Sequence, residues 1–435
     1  MKKYIERALH RYYKTQFTKK SFIPGQSPVP VSGKVFDEEE LLLGVEAVLD
    51  GWWTEGRFAQ EFEKQFSSFL GIRYVSLVNS GSSANLIALS ALTSSVFGKR
   101  TLKPGDEVIT VATGFPTTIN PIIQNRCIPV LIDVDRRTKN ATVSAIQKAV
   151  SNKTKAIMMA HTLGNPMPLD GIMELVKKHN LWFIEDCCDA LGSTYAGKMV
   201  GTFGHVATFS FYPAHQITMG EGGAVVTNNP LIHMALRQFR DWGRDCWCDT
   251  GEDDTCRKRF GWKLGDLPFG YDHKYIYSQI GYNLKLTDMQ AAIGFAQLKK
   301  LPRFIAKRKE NYQQLLKRLK KYEKYFHFTK IEKGADPSWF GFVIVLKDGT
   351  PFTKLELVKY LEDKKIATRS LFAGNLLKHP AYIDRKDIRV AGTLYNSDLI
   401  MNNGFWIGVY PGITEEMIAY MIATITEFIR EKTTV

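Results

Sequence analysis

Hydrophobic and polar positions follow two different rhythms along this chain of 435 residues. Short, nearly continuous apolar runs read as buried strands: "RYVSLVN" (73–79), "EVITVA" (107–112), "IPVLIDVD" (128–135), "KAIMMAH" (155–161), "LWFIED" (181–186), "VATFSFY" (206–212) and "GAVVTN" (223–228). Their shortness, β-branched content and polar borders separate them from helices. Between some of them, apolar residues recur three and four apart, as in "SANLIALSALTSS" (83–95) and "GIMELVKKHN" (171–180), and predict amphipathic helices. Such alternation predicts an α/β domain on a mostly parallel sheet, in which ligands gather at the carboxyl ends of the strands.

The rhythm changes on either side of this region. "EEELLLGVEAVLDGWW" and "RFAQEFEKQFSSFL" make a helical region over about 38–70. Residues 243–283, rich in Gly, Asp, Cys and aromatics, show neither period, and a long basic helix is expected from about 301. "WFGFVIVL" (339–346), "FTKLELVKYLEDKK" (352–365) and a terminal helix (413–432) suggest a smaller α+β unit. The expected division is a large domain over 1–300, including the N-terminal helices and the 243–283 insertion, and a small C-terminal domain over 301–435. The opening stretch "MKKYIERALHRYYKTQFTKKSF" has no continuous apolar segment, so it reads not as a secretory signal but as an amphipathic helix, either an organelle-type leader or, the favoured reading, a helix packed on the body. No window approaches 18 apolar residues, and neither a membrane span nor a membrane partner is expected.

Composition adds little to this frame. Hydrophobic content of 44% and charged content of 23% are ordinary for a globular chain. The net charge of +14, from 58 basic and 44 acidic residues, suits an anionic ligand or simply a solvated basic surface. No nucleic-acid-binding signature accompanies it, so nucleic acid is not an expected partner. The expected compartment is the cytoplasm, where six cysteines argue for metal binding, catalysis or buried thiols and against disulfides.

Three local patterns carry chemistry. "NSGSSANL" (79–86) places small residues between a strand and a helix; it is either a plain turn with a Ser cap or an anion site built from unpaired amides and the helix dipole. "FIEDCCDALGS" (183–193) ends a strand on Glu185 and Asp186, a carboxylate that can cap the next segment or hold a protonated heteroaromatic nitrogen. Cys188, Cys246, Cys248 and Cys256, spaced C-x57-C-x-C-x7-C, suit zinc, an iron–sulfur cluster or unligated thiols. Cys187 and Cys127 fall outside that pattern and are expected as small buried hydrophobes.

These pieces occur in order with "GFPTTINP" (114–121), "TFSFYPAHQITMGEGGAVVTN" (208–228) and "GYNLKLTDMQAAIG" (281–294). Together they resemble the nucleotide-sugar aminotransferases, from about residue 35 to the C-terminus. The resemblance implies an aspartate-aminotransferase-like fold (fold type I of the pyridoxal-phosphate transferases) and a homodimer. It places the cofactor phosphate on Gly81, Ser82, Ser83 and Ser210, with Asn283 reaching the phosphate of the other subunit's cofactor. Phe115 would stack on the pyridine ring, Asp186 would pair with its nitrogen, and Asp189 would lie beside it.

In that family a lysine five residues after the phosphate-binding serine tethers the cofactor; here Ser210 is followed at that distance by His215. Imidazole cannot tether it, so the cofactor is expected to be pyridoxamine 5′-phosphate, held without a covalent bond. With the cysteines, this departure resembles a small branch of the family, the sugar 3-dehydrases that carry a [2Fe–2S] cluster, with Cys188, Cys246, Cys248 and Cys256 as its ligands. The resemblance implies that His215 acts as the base while the C3 hydroxyl leaves a nucleotide-linked 4-keto sugar. CDP is the expected nucleotide, with dTDP or GDP, or a sugar aminotransferase relative, as alternatives. Electrons would come from an NADH-dependent flavin and iron–sulfur reductase, and the product would feed dideoxyhexose and lipopolysaccharide synthesis. Tyr212 and Phe340 are second-tier candidates, equally readable as aromatic packing. Arg369 is a candidate for the substrate diphosphate, equally readable as a solvent-facing Arg.

Overall fold

The structure is a computed structural model that describes residues 2–17 and 21–433, so part of the N-terminal stretch discussed above and the last two residues lie outside the description. Helix α1 (Lys2–Gln16) lies on the body as expected, the Tyr13 hydroxyl donating to the Phe36 carbonyl at 3.1 Å. Helix α2 (Glu38–Leu49) opens with a capping box, in which Asp37 accepts from the Glu39 amide and Glu40 accepts from the Asp37 amide. Helix α3 (Arg57–Leu70) turns Phe62 and Phe66 inward onto Phe209 and Phe211.

The alternating region gives β1 (Tyr74–Val78), α4 (Gly81–Ala91), β2 (Glu107–Val111), α5 (Pro116–Gln124), β3 (Ile128–Ile132), α6 (Val143–Ala149), β4 (Thr154–Ala160), α7 (Leu169–His179) and β5 (Trp182–Asp186). A small ribbon, β6 (Thr194–Tyr195) and β7 (Lys198–Met199), precedes β8 (Val206–Ser210), β9 (Gly223–Thr227) and α8 (Pro230–Arg240). All seven strand runs expected from the pattern are present; six are shorter by one to three residues, and β4 is shifted one residue toward the N-terminus.

The long helix α9 (Asp288–Leu319) starts well before the expected residue 301. A capping box of Thr287 and Gln290 starts it there, and it continues through Pro302. The C-terminal part contributes β10 (Phe326–Phe328), β11 (Ala335–Asp336), β12 (Gly341–Leu346), α10 (Lys354–Asp363), β13 (Arg389–Val390), α11 (Tyr395–Asn403), β14 (Gly404–Gly408) and α12 (Glu415–Thr433). Strands β10, β12 and β14 form an antiparallel sheet, and β11 joins the β6–β7 ribbon. A second core of Tyr312, Phe342, Leu357, Phe405 and Phe428 fills the space between the first of these sheets and its helices.

The main sheet runs in the order β1-β9-β8-β5-β4-β2-β3-β13. Only β9 is reversed, antiparallel to both β8 and β1; the other pairs are parallel. Its edge strand β13 comes from residues 389–390, so the C-terminal part returns to complete the first sheet. The carboxyl ends of β1, β4, β5 and β8 consequently open on the same side, toward the short segment Val31–Ser32 and the C-terminal Arg369 and Trp406. The fold is α/β with a large, mostly parallel sheet, and no helix among the described residues is long and apolar enough to cross a membrane.

Candidate active site

At the carboxyl ends of the strands lies a cavity of about 630 Å³, within the range of small-molecule sites. One wall is the start of α4. Ser80 caps that helix, its Oγ accepting from the Ser83 amide at 3.1 Å, while the Ser83 hydroxyl turns away to Asn79 at 2.6 Å. Gly81 and Ser82 therefore line the cavity with first-turn amides that have no intrahelical acceptor, whereas Ser83 does not line it. Gly81 is required by close approach: a Cβ there would lie 2.4 Å from Ser210 Cβ and 2.7 Å from its Oγ. This amide-lined concavity, with the Ser210 hydroxyl opposite, suits a phosphate.

Asp186 ends β5 in the floor of the cavity, 4% exposed. Its Oδ2 accepts from Asn85 Nδ2 and Thr118 Oγ1, both at 2.8 Å, and its Oδ1 accepts from the Cys188 amide at 3.1 Å. All three partners donate, so the carboxylate is locked in place as an acceptor, the role a protonated ring nitrogen needs. Asn85 is itself oriented by Thr208, whose hydroxyl donates to its Oδ1 at 2.6 Å. The sequence reading missed Asn85 and Thr118. Asn85 sits in the "NSGSSANL" motif one helical turn after Gly81, a spacing that could have marked it.

His215 lies on the segment joining β8 to β9, its Nδ1 3.5 Å from Asp189 Oδ1. Burial, with the Arg308 charge, pushes the imidazole down to about 3. Burial and the neighbouring Asp186 push Asp189 up to about 8. At neutral pH the imidazole is thus uncharged and Asp189 keeps its proton, so the two face each other as neutral groups. The His215 ring lies 5.2 Å from that of Phe340, and Phe340 lies 5.4 Å from Trp406. Phe115 and Tyr212 line the mouth and are half exposed, and Arg369 lines the far side with one guanidinium nitrogen on the Thr368 carbonyl at 2.7 Å.

Asn283 and three of the cysteines stand outside the cavity. The backbone of Asn283 pairs with Asp241, and the following Leu284 accepts from the Asn79 amide at 2.8 Å. Cys246, Cys248 and Cys256 belong to the insertion, in which the rings of Trp247, Trp262 and His273 pack on one another. Arg237 fastens this insertion to α8 through Asp249 at 2.8 Å. Burial raises the Cys246 thiol; Cys248 is lowered, because partial burial is outweighed by hydrogen bonds from Thr255, Cys246 and the Cys256 amide. Cys188 instead lines the cofactor-sized cavity beside Gly81, where burial and the Asp186 carboxyl hold its thiol well above the ordinary value. Among the described residues no three of these four sulfurs lie within 4.8 Å of one another. Cys187 and Cys127 are buried, as expected.

One group of three potential metal ligands does converge: His161, Glu185 and Cys187. Glu185 already accepts from His161 and from the amides of Gly201, Phe203 and Gly204, and His161 Nδ1 accepts from Met167. Saturated in this way, the group braces the strand end that carries Asp186.

Residues 36–426 match the DegT/DnrJ/EryC1/StrS aminotransferase family. The chain is 54% identical over 428 residues to the lipopolysaccharide biosynthesis protein RfbH of Salmonella typhimurium, covering 98% of each. It is 49% identical to the dTDP-4-dehydro-2,6-dideoxy-D-glucose 3-dehydratase of Saccharopolyspora spinosa, covering 96% of this chain and 90% of that one. Among solved structures, the E. coli GDP-4-keto-6-deoxy-D-mannose-3-dehydratase with bound hydrated PLP is 30% identical with a TM-score of 0.82, covering 91% of this chain and 99% of that one.

Proposed function

Because the chain belongs to the DegT/DnrJ/EryC1/StrS aminotransferase family, we propose that it is a nucleotide-sugar 3-dehydratase acting on a 4-keto-6-deoxyhexose in dideoxyhexose and lipopolysaccharide synthesis. The observation that carries this reading is His215, an imidazole standing where an aminotransferase needs a primary amine. Among the described residues lining the cavity none is a lysine.

The residues present fit pyridoxamine 5′-phosphate. Gly81, Ser82 and Ser210 would hold its phosphate, Asp186 its ring nitrogen and Phe115 its ring face. When bound, this cofactor supplies the amine and the electron-accepting ring that C3 deoxygenation needs. Asn85 and Thr118 keep Asp186 from turning. His215, uncharged, has a ring nitrogen free to take a proton from carbon and cannot bond the cofactor as lysine would. Asp189 carries a proton beside it and limits the ring's rotation. Phe340 and Trp406 keep water from one side of the imidazole, and Arg369 offers a cation for the substrate's diphosphate.

On the cysteine pattern we also propose a [2Fe–2S] cluster on Cys246, Cys248, Cys256 and Cys188, supplied with electrons by an NADH-dependent flavin and iron–sulfur reductase, in a homodimer. CDP is the proposed nucleotide, making the enzyme a CDP-4-keto-6-deoxy-D-glucose 3-dehydrase. The competing reading, a dTDP sugar, is favoured by the relative 49% identical that is named for one.

The test supplies pyridoxamine 5′-phosphate and CDP-, dTDP- or GDP-linked 4-keto-6-deoxyhexose carrying heavy oxygen at C3. Loss of the label to water is expected, fastest with the cognate nucleotide. Retention of the label with all three, with an amino sugar accumulating, would make the protein an aminotransferase.

A further inference from the structure

We infer that Arg308 is a positioning residue for His215: one buried guanidinium holds the backbone on both sides of the His215–Phe340 contact and so sets the imidazole in the cavity. What His215 does there rests on the dehydratase reading above; how it is held does not.

Arg308 lies on α9 and is 0% exposed. Buried arginines are ordinarily paired with a carboxylate, yet among the described residues Arg308 makes no ion pair within 4.0 Å. Its donors go to carbonyls instead. Nη2 donates to His215 O at 2.8 Å and Ala214 O at 3.5 Å, while Nη1 donates to Trp339 O at 3.2 Å and Phe340 O at 3.4 Å. The first pair belongs to the segment between β8 and β9, and the second leads into β12. The two segments are more than 120 residues apart in sequence, and their side chains meet at the 5.2 Å contact of the His215 and Phe340 rings.

Only a planar fork of fixed geometry serves two carbonyl pairs at once; a lysine ammonium offers three donors from a single point. Gln216 braces the same joint, its Nε2 donating to Asp189 O at 2.6 Å and Ser338 O at 3.2 Å. The residues that hold the phosphate and ring nitrogen, Gly81, Ser210 and Asp186, are not among Arg308's partners, so its loss should spare cofactor binding and disturb the base.

The test compares R308K and R308Q with the natural protein in two measurements. In the cofactor-free protein with labelled histidine, the ring-current shift of the His215 resonance from Phe340 is expected to collapse in R308Q and to shrink in R308K. In the loaded protein, exchange of the cofactor's C4′ proton is expected to fall at least tenfold in R308Q, with pyridoxamine phosphate affinity within about threefold of the natural protein. An unchanged His215 resonance and exchange rate in either variant would overturn the inference. Should R308Q fail to fold, R308K, which keeps the charge and most of the volume, decides alone. Absence of exchange in the natural protein would instead count against the dehydratase reading, while the resonance measurement would still judge Arg308.

Discussion

Gly81→Ala tests the phosphate cradle most directly. The added Cβ would lie 2.4 Å from Ser210 Cβ and 2.7 Å from its Oγ, both too close, and 3.1 Å from Cys188 Sγ, which is tight. Ser210 cannot simply retreat, because it pairs across the ladder with Gly223, and a Cβ on Gly223 would itself be 2.4 Å from the Ser80 carbonyl. Either the Ser210 hydroxyl rotates away from the cavity or the start of α4 shifts. Overpacking of this kind costs about 1–3 kcal/mol, and the better helix propensity of Ala returns up to ~1 kcal/mol. A stability loss of about 0–2 kcal/mol is expected. Losing one charge-assisted contact to phosphate, worth about 1.5–3 kcal/mol, weakens cofactor binding by roughly 10- to 150-fold. Titrating the apoprotein with pyridoxamine phosphate, alongside chemical denaturation, reads both numbers. Gly44→Ala is the control: its Cβ would meet only Ile293 Cγ1, at an ordinary 3.7 Å, so stability should rise by ~0.5–1 kcal/mol with affinity unchanged. A Gly81→Ala protein that binds the cofactor within threefold of the natural one would refute the cradle assignment.

Replacing Asn85 by Ala removes one of the three donors to Asp186 and the acceptor of the buried Thr208 hydroxyl, and should lower stability by about 1–3 kcal/mol in urea unfolding; an equally stable variant would remove Asn85 from the role given to it. Cys248→Ser should lose iron and labile sulfide after anaerobic reconstitution while still releasing the C3 oxygen label, and equal iron in both proteins would exclude Cys248 as a ligand. Burial, with nearby arginines, lowers His205 and His233 to about 4 from an ordinary 6.5. The unfolded chain then binds more protons than the folded one between those values, so stability present above about pH 6.5 is lost as pH falls toward 4, by ~1–2 kcal/mol per residue. Denaturation at pH 7 and pH 5 measures this, and His205→Asn should remove roughly half of the difference, leaving the part due to His233.

Strand and helix periodicity made the large sheet legible, because each buried strand carries its own apolar run. The start of α9 was not, since apolar content changes little between 288 and 301; the Thr287–Gln290 box that does mark it is a polar signal. Asp186 could be singled out in sequence because it ends a strand, and Ser210 and His215 because the stretch that carries them resembles the family's motif. Thr118 could not, as it meets Asp186 from 68 residues away, and for Asn85, 101 residues away, the one sequence signal is its place one helical turn after Gly81. Arg308 was hidden differently: within "AKRKENYQQ" it looks like any other solvated cation of a basic helix, and only its burial gives it away.

The reversed strand β9 gives the fold a particular evolutionary freedom. Because β8 and β9 are antiparallel neighbours, the segment between them is a local return and not a crossover that must pack a helix against the sheet. Position 215 sits on that return, while the groups that seat a phosphate and a ring nitrogen stand at the start of α4 and at the ends of β8 and β5. Exchange of an amine for an imidazole at this one position therefore asks nothing of the strand registers around it. Under the dehydratase reading proposed above, one side chain in the return decides what leaves the substrate, and the scaffold that binds it stays as it is.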